Sequence, residues 1–386
     1  VTPKKKPIRI DIWHNILWSK YKGEVFSSLY ALNDIDKIDI RFLQIAETEG
    51  QRVGLSGIDV NHHRYPYELI FHGSVDRVSI AKRIGAIFSR TYNSDAELVI
   101  LAGYEKPEFW LQLLFLLIRR KKIAVFCDST IYDQKQKFLR GLLKRFFFRS
   151  VNGIFCYGTR SKEYVTHYGA NAKNVYTRCQ AAALPLGYSR EEALSARLSM
   201  APAPHAPRYL YVGRLSPEKG LDTLIAAFAG VKQRIAAATL VIVGSGPARE
   251  ALEAQTRSLG LEEAVVFTGS KASNELFQEY SKATCLVLPS RSEPWGLVVN
   301  EALSYGCPAI VSHHCGCVPE LVMEGTTGFS HAVDDADDLM KKMIAAPSQF
   351  SDITGTARHC IQLISTFSSD AAASQILSGL REIMSI

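Results

Sequence analysis

Two carboxylates, Glu293 and Glu301, stand eight positions apart in "PSRSEPWGLVVNEALSYG", and two cations, Arg214 and Lys219, bracket a loop in "YVGRLSPEKGLDTLIAAF". Each stretch reads as the end of a strand, a short loop and a helix. In the second, Gly213 ends the strand, and the following helix aims its N-terminus at the edge that carries both cations. A helix N-terminus with two cations makes an anion site; the plainer reading is a pair of ordinary loop charges. In the first, Pro294 and Gly296 put the helix start near Gly296, which leaves the backbone N–H groups of Gly296, Leu297 and Val298 without intrahelical acceptors. Such donors suit a diphosphate. Glu293 and Glu301 would repel phosphate, and as acceptor-only groups they suit sugar hydroxyls. Their plainer reading is a helix cap and a solvated carboxylate.

"VGSGP" (Val243–Pro247) lacks the Lys-Ser/Thr of a P-loop, so its glycines read as a tight strand-to-helix turn near a ligand. "FTGS" (Phe267–Ser270) ends a strand with a glycine that brings backbone close to something flat, such as a base. "VSHHCGCVPE" (Val311–Glu320) crowds His313, His314, Cys315 and Cys317 together. The two thiols are spaced more tightly than zinc ligands usually are, and adjacent histidines at a strand end do not easily converge on one ion. No metal or other cofactor is expected.

The elements that must position these groups form two alternating series. "IRIDIW", "IDIRFLQI", "ELVILAGY", "IAVFCDS" and "GIFCYGT" read as strands of the first, and "GEVFSSLYALN" as the helix after the leading strand. "RYLYVGR", "ATLVIVGSG", "AVVFTGS", "CLVLPS" and "PAIVSH" read as strands of the second. Apolar strands alternating with helices predict parallel sheets covered on both faces. The fold class is α/β, with two Rossmann-like domains whose sheets face a central cleft, ligands sitting at the carboxyl ends of the strands. The Pro-rich "MAPAPHAPR" around Ala201 reads as the linker. Residues 1–200 form one domain and 201–366 the other, and the amphipathic tail 367–386 is expected to pack back on the first.

The chain has 386 residues, enough for two cores. Its most apolar stretch, "FWLQLLFLLI", has ten residues against the roughly 20 that span a bilayer, and no signal-peptide pattern is visible at the start. Eight scattered cysteines argue for a reducing compartment. Residues 1–200 hold 31 Lys and Arg against 19 Asp and Glu, whereas residues 201–386 hold 14 against 19. A basic half can face nucleic acid, an anionic membrane or a phosphorylated substrate, or can simply be solvated.

Taken in order, "GRLSPEKGLDTLIAAF", "LVIVGSGP", "VVFTGS", "CLVLPSRSEPWGLVVNEALSYGCPAIVS", "GCVPELV" and "GTTGF" resemble the nucleotide-binding domain of retaining GT-B glycosyltransferases of the family 4 type. Glu293 and Glu301 match that family's E-x7-E motif. The first 200 residues resemble the family in layout alone. The resemblance implies that Arg214 and Lys219 neutralise the donor diphosphate, that Glu293 holds donor-sugar hydroxyls and that Glu301 binds the ribose. It implies that backbone around Ser270 and Lys271 reads the base, and that Gly316 and Cys317 let backbone N–H groups approach the donor. Gly23 matches the second glycine of the family's Gly-Gly loop, with Lys22 in place of the first. The implied reaction is retaining transfer of a hexose from a nucleotide diphosphate sugar to an acceptor hydroxyl. A related epimerase or polymer synthase, or a non-catalytic nucleotide-sugar-binding subunit, is the alternative.

Acceptor contacts are expected from strand ends of the first domain: His14, Asn15, Trp18, Lys20, Asp128, Tyr157 and Gly158. Asp128 reads equally as an acceptor contact and as a helix N-cap, and His14 has the plainer reading of a loop histidine. "KQKFLRGLLKRFFFRS" (Lys135–Ser150) mixes six Lys and Arg with phenylalanines and leucines, and "RRKK" (Arg119–Lys122) adds to it. The pattern suits an anionic membrane surface or a core helix with a solvated basic face. No nucleic-acid fold signature accompanies it. The expected setting is therefore the cytoplasmic face of the plasma membrane, with a lipid-linked saccharide acceptor in polysaccharide or glycolipid assembly.

Overall fold

The computed structural model describes residues 6–34, 37–50, 57–133 and 138–385. It divides into two compact units: Val1–Ser129, Gln136–Ala183 and Ser368–Ile386 in the first, Thr130–Lys135 and Leu184–Phe367 in the second.

The first unit runs β1 (Ile8–Ile16), α1 (Lys20–Leu32), β2 (Ile38–Thr48), β3 (Tyr67–Ser74), α2 (Ile80–Tyr92), β4 (Leu98–Leu101), α3 (Pro107–Ile118), β5 (Lys122–Cys127), α4 (Phe138–Ser150), β6 (Gly153–Cys156), α5 (Thr159–His167) and β7 (Val175–Tyr176). The seven strands pair in the order β3-β2-β1-β4-β5-β6-β7, all parallel. Ile10, Ile12 and Trp13 are fully buried, so β1 has core on both faces, as its unbroken apolar run requires. Sequence order reverses between β1 and β4, which opens a crevice beyond their carboxyl ends. The strand reading missed β3, an edge strand whose residues are mostly half-buried and show no clear alternation.

The second unit runs α6 (Arg190–Met200), β8 (Arg208–Val212), α7 (Leu221–Arg234), β9 (Thr239–Val243), α8 (Arg249–Ser258), β10 (Val265–Gly269), α9 (Ser273–Ser281), β11 (Cys285–Leu288), α10 (Leu297–Ser304), β12 (Ala309–Ser312), α11 (Val318–Leu321), β13 (Gly328–His331), α12 (Ala336–Gln349) and α13 (Ile353–Ser365). Its six parallel strands take the order β10-β9-β8-β11-β12-β13, with the reversal between β8 and β11. The division falls at Ala183 and Leu184, not at the Pro-rich stretch after Met200. The physical reason is α6: its Arg197, 1% exposed, donates to the backbone carbonyls of Tyr280, Ser281, Ala283 and Thr284 and anchors the helix in the second unit. The final helix α14 (Ser369–Met384) returns to the first unit. There it buries Ala372, Ala373, Ile376 and Leu380 with α1 and β6, and Lys122 Nζ donates to the Ile383 carbonyl at 2.6 Å.

Candidate active site

In the second unit, the loops after β8 and β11 meet at the strand-order reversal. Arg291 is the tie: its backbone N–H donates to the Glu218 carbonyl at 2.9 Å, and its guanidinium to Pro217 O, Asp222 and Asp334. Gly220 has φ +66, and a Cβ there would lie 2.4 Å from Pro289 O, so only glycine lets the two loops close this tightly. The consequence is an ion pair between two groups 74 positions apart, Lys219 Nζ and Glu293 Oε2 at 2.6 Å, with side chains 14% and 18% exposed. Arg214 donates to Glu218 Oε1 at 3.2 Å, and Ser216 Oγ to the same oxygen at 2.6 Å. Burial alone would raise the Glu218 carboxyl. The Ser216 hydroxyl and the charges of Arg214 and Lys219 together hold it below its ordinary range. Glu218 was not among the residues singled out in the sequence, although it lies inside the same motif.

Helix α10 starts where the Pro294–Gly296 pattern places it. Gly296, at φ +102, is its N-cap and has no side chain to cap with. Among the described residues, the N–H groups of Gly296, Leu297 and Val298 have no acceptor, so the helix presents free donors about one turn from Glu293. Glu301 lies one turn into α10 and accepts from the Tyr280 hydroxyl at 2.8 Å. Burial pushes its carboxyl up to about 7, opposed by that hydrogen bond, although part of the side chain still reaches solvent. Tyr280, stacked on Tyr305 at 5.6 Å, is the hydrogen-bond partner of Glu301, and no sequence pattern marked it.

Other expected contacts are engaged differently. The N–H groups of Gly316 and Cys317 donate to the carbonyls of Glu293 and Trp295, both at 3.0 Å. They are therefore not free to meet a donor sugar or phosphate, and the role expected for them is corrected. A Cβ on Gly316 would lie 1.8 Å from Pro294 O, and Cys317 is fully buried, so this pair locks the Glu293 loop from behind. The glycines of "VGSGP" serve a similar close approach: a Cβ on Gly244 would strike Gly213 O and one on Gly246 would strike Leu215 O. Gly213 itself donates to Val243 O at 3.0 Å. Ser270 Oγ donates to Ser245 Oγ at 3.1 Å, and Lys271 pairs with Glu279, which also binds Arg208. His314 bonds the Arg291 carbonyl at 3.0 Å and stacks on Tyr132 at 4.6 Å. No group of three His, Cys, Asp or Glu among the described residues is arranged to hold an ion.

The first unit has a cavity of about 250 Å³ at its own reversal point. It is lined by His14, Tyr104, Asp128 and Tyr157, among others, from the ends of β1, β4, β5 and β6, and by Lys22 from the first turn of α1. Asn15 Nδ2 donates to Ala102 O at 3.2 Å and ties the end of β1 to the residue after β4. His14 is buried and bonds Gln44 Oε1 at 3.1 Å; Gln44 in turn donates to the Tyr65 hydroxyl at 2.9 Å. Burial and the neighbouring Lys22 charge pull the His14 imidazole down to about 3, so it is neutral at physiological pH. Asp128 is exposed, and no helix follows it directly: residues 131–133 form a turn, so it is not a helix N-cap. Of the remaining strand-end residues, Lys20 pairs with Asp59 at 3.7 Å and Gly158 caps α5. Gly23 lies within the first turn of α1, where a Cβ would meet the His63 ring at 2.7 Å and His62 O at 2.8 Å. Its neighbour Lys22 projects into the cavity wall.

The description "Glycosyl transferases group 1" belongs to the family whose sequence model matches residues 201–349. The sulfoquinovosyl transferase of Arabidopsis thaliana is 34% identical over 157 residues, 40% of this chain and 29% of that protein. The GDP-mannose-dependent alpha-(1-6)-phosphatidylinositol monomannoside mannosyltransferase of Mycobacterium tuberculosis is 32% identical over 148 residues, 36% of this chain and 38% of its own. The chain thus spans less than half the length of these curated relatives. HepE of Anabaena, solved with UDP, superposes with a TM-score of 0.70 at 17% identity, over 97% of this chain and 100% of that one. The lipopolysaccharide outer core galactosyltransferase WaaB superposes with a TM-score of 0.70 at 16% identity, over 97% and 99%. The two parallel-sheet units are those of a GT-B fold, and residues 201–349, within the second unit, match the glycosyl transferases group 1 family.

Proposed function

We propose that this chain is a metal-independent glycosyltransferase that moves a hexose from a nucleotide diphosphate sugar to an acceptor hydroxyl, with retention of configuration. The observation that carries the reading is the Lys219–Glu293 pair beside the free N–H groups that open α10. Lys219, Arg214 and those donors face the charge that develops on the departing diphosphate, which is where stabilisation lowers the barrier. Glu293 uses Oε2 to fix Lys219, and its Oε1 accepts from a donor-sugar hydroxyl. Glu301 accepts from the ribose, with Tyr280 orienting it. In the transfer, the bond from the anomeric carbon to the phosphate oxygen breaks, the acceptor oxygen takes its place on the same face, and the leaving phosphate receives the acceptor proton. The likeness to HepE, solved with UDP, supports a nucleotide donor. Product analysis with an anomerically labelled nucleotide sugar tests this. A new glycoside of unchanged configuration is expected; a free epimerised nucleotide sugar, or binding without turnover, contradicts it.

The acceptor in this proposal is lipid-linked, and the first unit meets an anionic membrane at the cytoplasmic face. Helix α4 is two-faced: Phe147 and Phe148 are buried, while Leu139, Leu142, Leu143 and Phe146 are exposed among Arg140, Lys144, Arg145 and Arg149. Its Trp110–Phe146 stack joins it to α3, where Leu111, Leu114 and Ile118 are also exposed, Ile118 by 79%. Apolar side chains ringed by cations suit a headgroup boundary. Lys135 and Lys137, counted in this basic segment, lie outside the described residues, as do Lys4 and Lys5. No helix among the described residues is long and apolar enough to cross a membrane. Flotation with anionic liposomes should show binding that weakens with salt; equal recovery with neutral and anionic vesicles would refute it.

A further inference from the structure

Lys22 is a buried cation that the proposed transfer leaves unused. Its side chain is 3% exposed, and Nζ has no hydrogen-bond partner among the described residues. It lies over the Phe126 ring at 4.3 Å and the Tyr157 ring at 4.9 Å, both in the wall of the first unit's cavity. Three N–H donors are available there and none is used. Cation–π contact replaces only part of the hydration lost, and an apolar side chain of the same length would fill the space at less cost. The same cavity is lined by the carboxylates of Glu49, Glu105 and Asp128, which are half-buried or exposed. The cavity therefore has a cation at its enclosed end and hydrogen-bond acceptors toward solvent. It sits at the strand-order reversal, where ligands of such sheets bind.

We propose that this cavity is an oxyanion subsite that takes an acidic sugar: Lys22 Nζ binds the carboxylate or phosphate, and the carboxylates at the open end accept from the hydroxyls. The inference rests on the transfer reading only for its substrate class, since it concerns binding to the first unit. Burial lowers the Lys22 ammonium to about 8, against the opposing pull of Cys179 and Asp128, so it is still mostly charged at neutral pH.

The test is calorimetric titration of the full chain, without nucleotide, with glucuronate, glucose 1-phosphate, glucose and UDP. Glucuronate or glucose 1-phosphate should bind at least about tenfold more tightly than glucose, the worth of one charge-assisted hydrogen bond. Lys22→Met, checked for folding by circular dichroism, should erase that preference, and Lys22→Arg should keep part of it. Equal affinity for glucose and both acidic sugars in the wild-type chain overturns the proposal, whether or not the variant folds. So does a Lys22→Met chain that retains the preference. If Lys22→Met weakens UDP and leaves the acidic sugars unchanged, the cation serves a nucleotide diphosphate and the acidic-sugar assignment falls. A chain that transfers hexose to a neutral acceptor yet shows no preference would sink this subsite and leave the transfer reading standing.

Discussion

Lys22 in the first unit and Lys219 in the second occupy equivalent places, each beside the point where strand order reverses, yet their surroundings differ. Lys219 is held by Glu293 at 2.6 Å, on loops tied by Arg291 and by the close approach at Gly220. Lys22 rests on aromatic rings with its donors unused. The difference teaches how each cation is kept charged in a low-dielectric setting. One has a carboxylate inside the protein; the other waits for an anion from outside. A third cation, Arg197, shows the structural extreme: it is buried and, among the described residues, hydrogen-bonded to backbone carbonyls alone.

These contrasts can be broken in order of expected effect. Lys219→Ala should lower kcat/KM for sugar transfer by about 10³-fold, the cost of losing one group that stabilises the leaving charge, while circular dichroism stays that of the parent. Transfer at parental rate would remove Lys219 from the site. Arg197→Met should destabilise the second unit by about 3 kcal/mol in urea titration, because the carbonyls of Tyr280, Ser281 and Thr284 lose a buried charged donor. Lys22→Met should act in the opposite direction and raise Tm at neutral pH by several degrees, on the order of 1–2 kcal/mol. The sign follows from linkage. The folded-state value is about 8 against an ordinary lysine value of 10.5. The penalty of burying the charge is thus fully present below about 8 and fades as pH rises toward 10.5. The gain in Tm over wild type should shrink across that window, and a gain that is constant with pH would point to packing alone.

The smallest effect concerns Glu301. Its folded-state value of about 7 lies above the ordinary carboxyl value of 4.5, so its contribution to stability is fully present below 4.5 and declines as pH rises through 7. Nucleotide binding should run the other way. The carboxylate is the form that accepts from ribose, so UDP affinity should rise a few-fold between pH 6 and 8 (about one charge-assisted hydrogen bond at half occupancy). Glu301→Gln should flatten that rise in a calorimetric titration, and an unchanged slope would assign it to another group.

Much of the second unit was legible in the sequence because its signals are local. Gly296 ends a loop and opens α10, and Pro294 marks the approach. Both carboxylates and both cations fall where strand-loop-helix spacing places them. What spacing does not carry is the partner across space. Nothing in the sequence joins Lys219 to Glu293, Glu301 to Tyr280, or the Gly316 and Cys317 N–H groups to carbonyls in the loop after the neighbouring strand β11. The first unit was read as alternation alone, so β3 was lost at the edge of the sheet, and Lys22 was placed in a loop when it stands inside the first turn of α1. The division of the chain was misplaced for a similar reason: proline content marks a bend, whereas the buried bonds of Arg197 decide which unit α6 belongs to.

In the function proposed above, the reversal point of the second unit binds a nucleotide sugar through Lys219 and Glu293. A thermal-shift comparison of UDP-, GDP-, ADP- and dTDP-sugars on the wild-type chain and on Lys219→Ala tests it most directly. At ligand about 100-fold above Kd, one donor should stabilise the wild-type chain by about 2.7 kcal/mol, and that shift should vanish in the variant. No shift with any of the four, or the same shift in both proteins, would contradict the account.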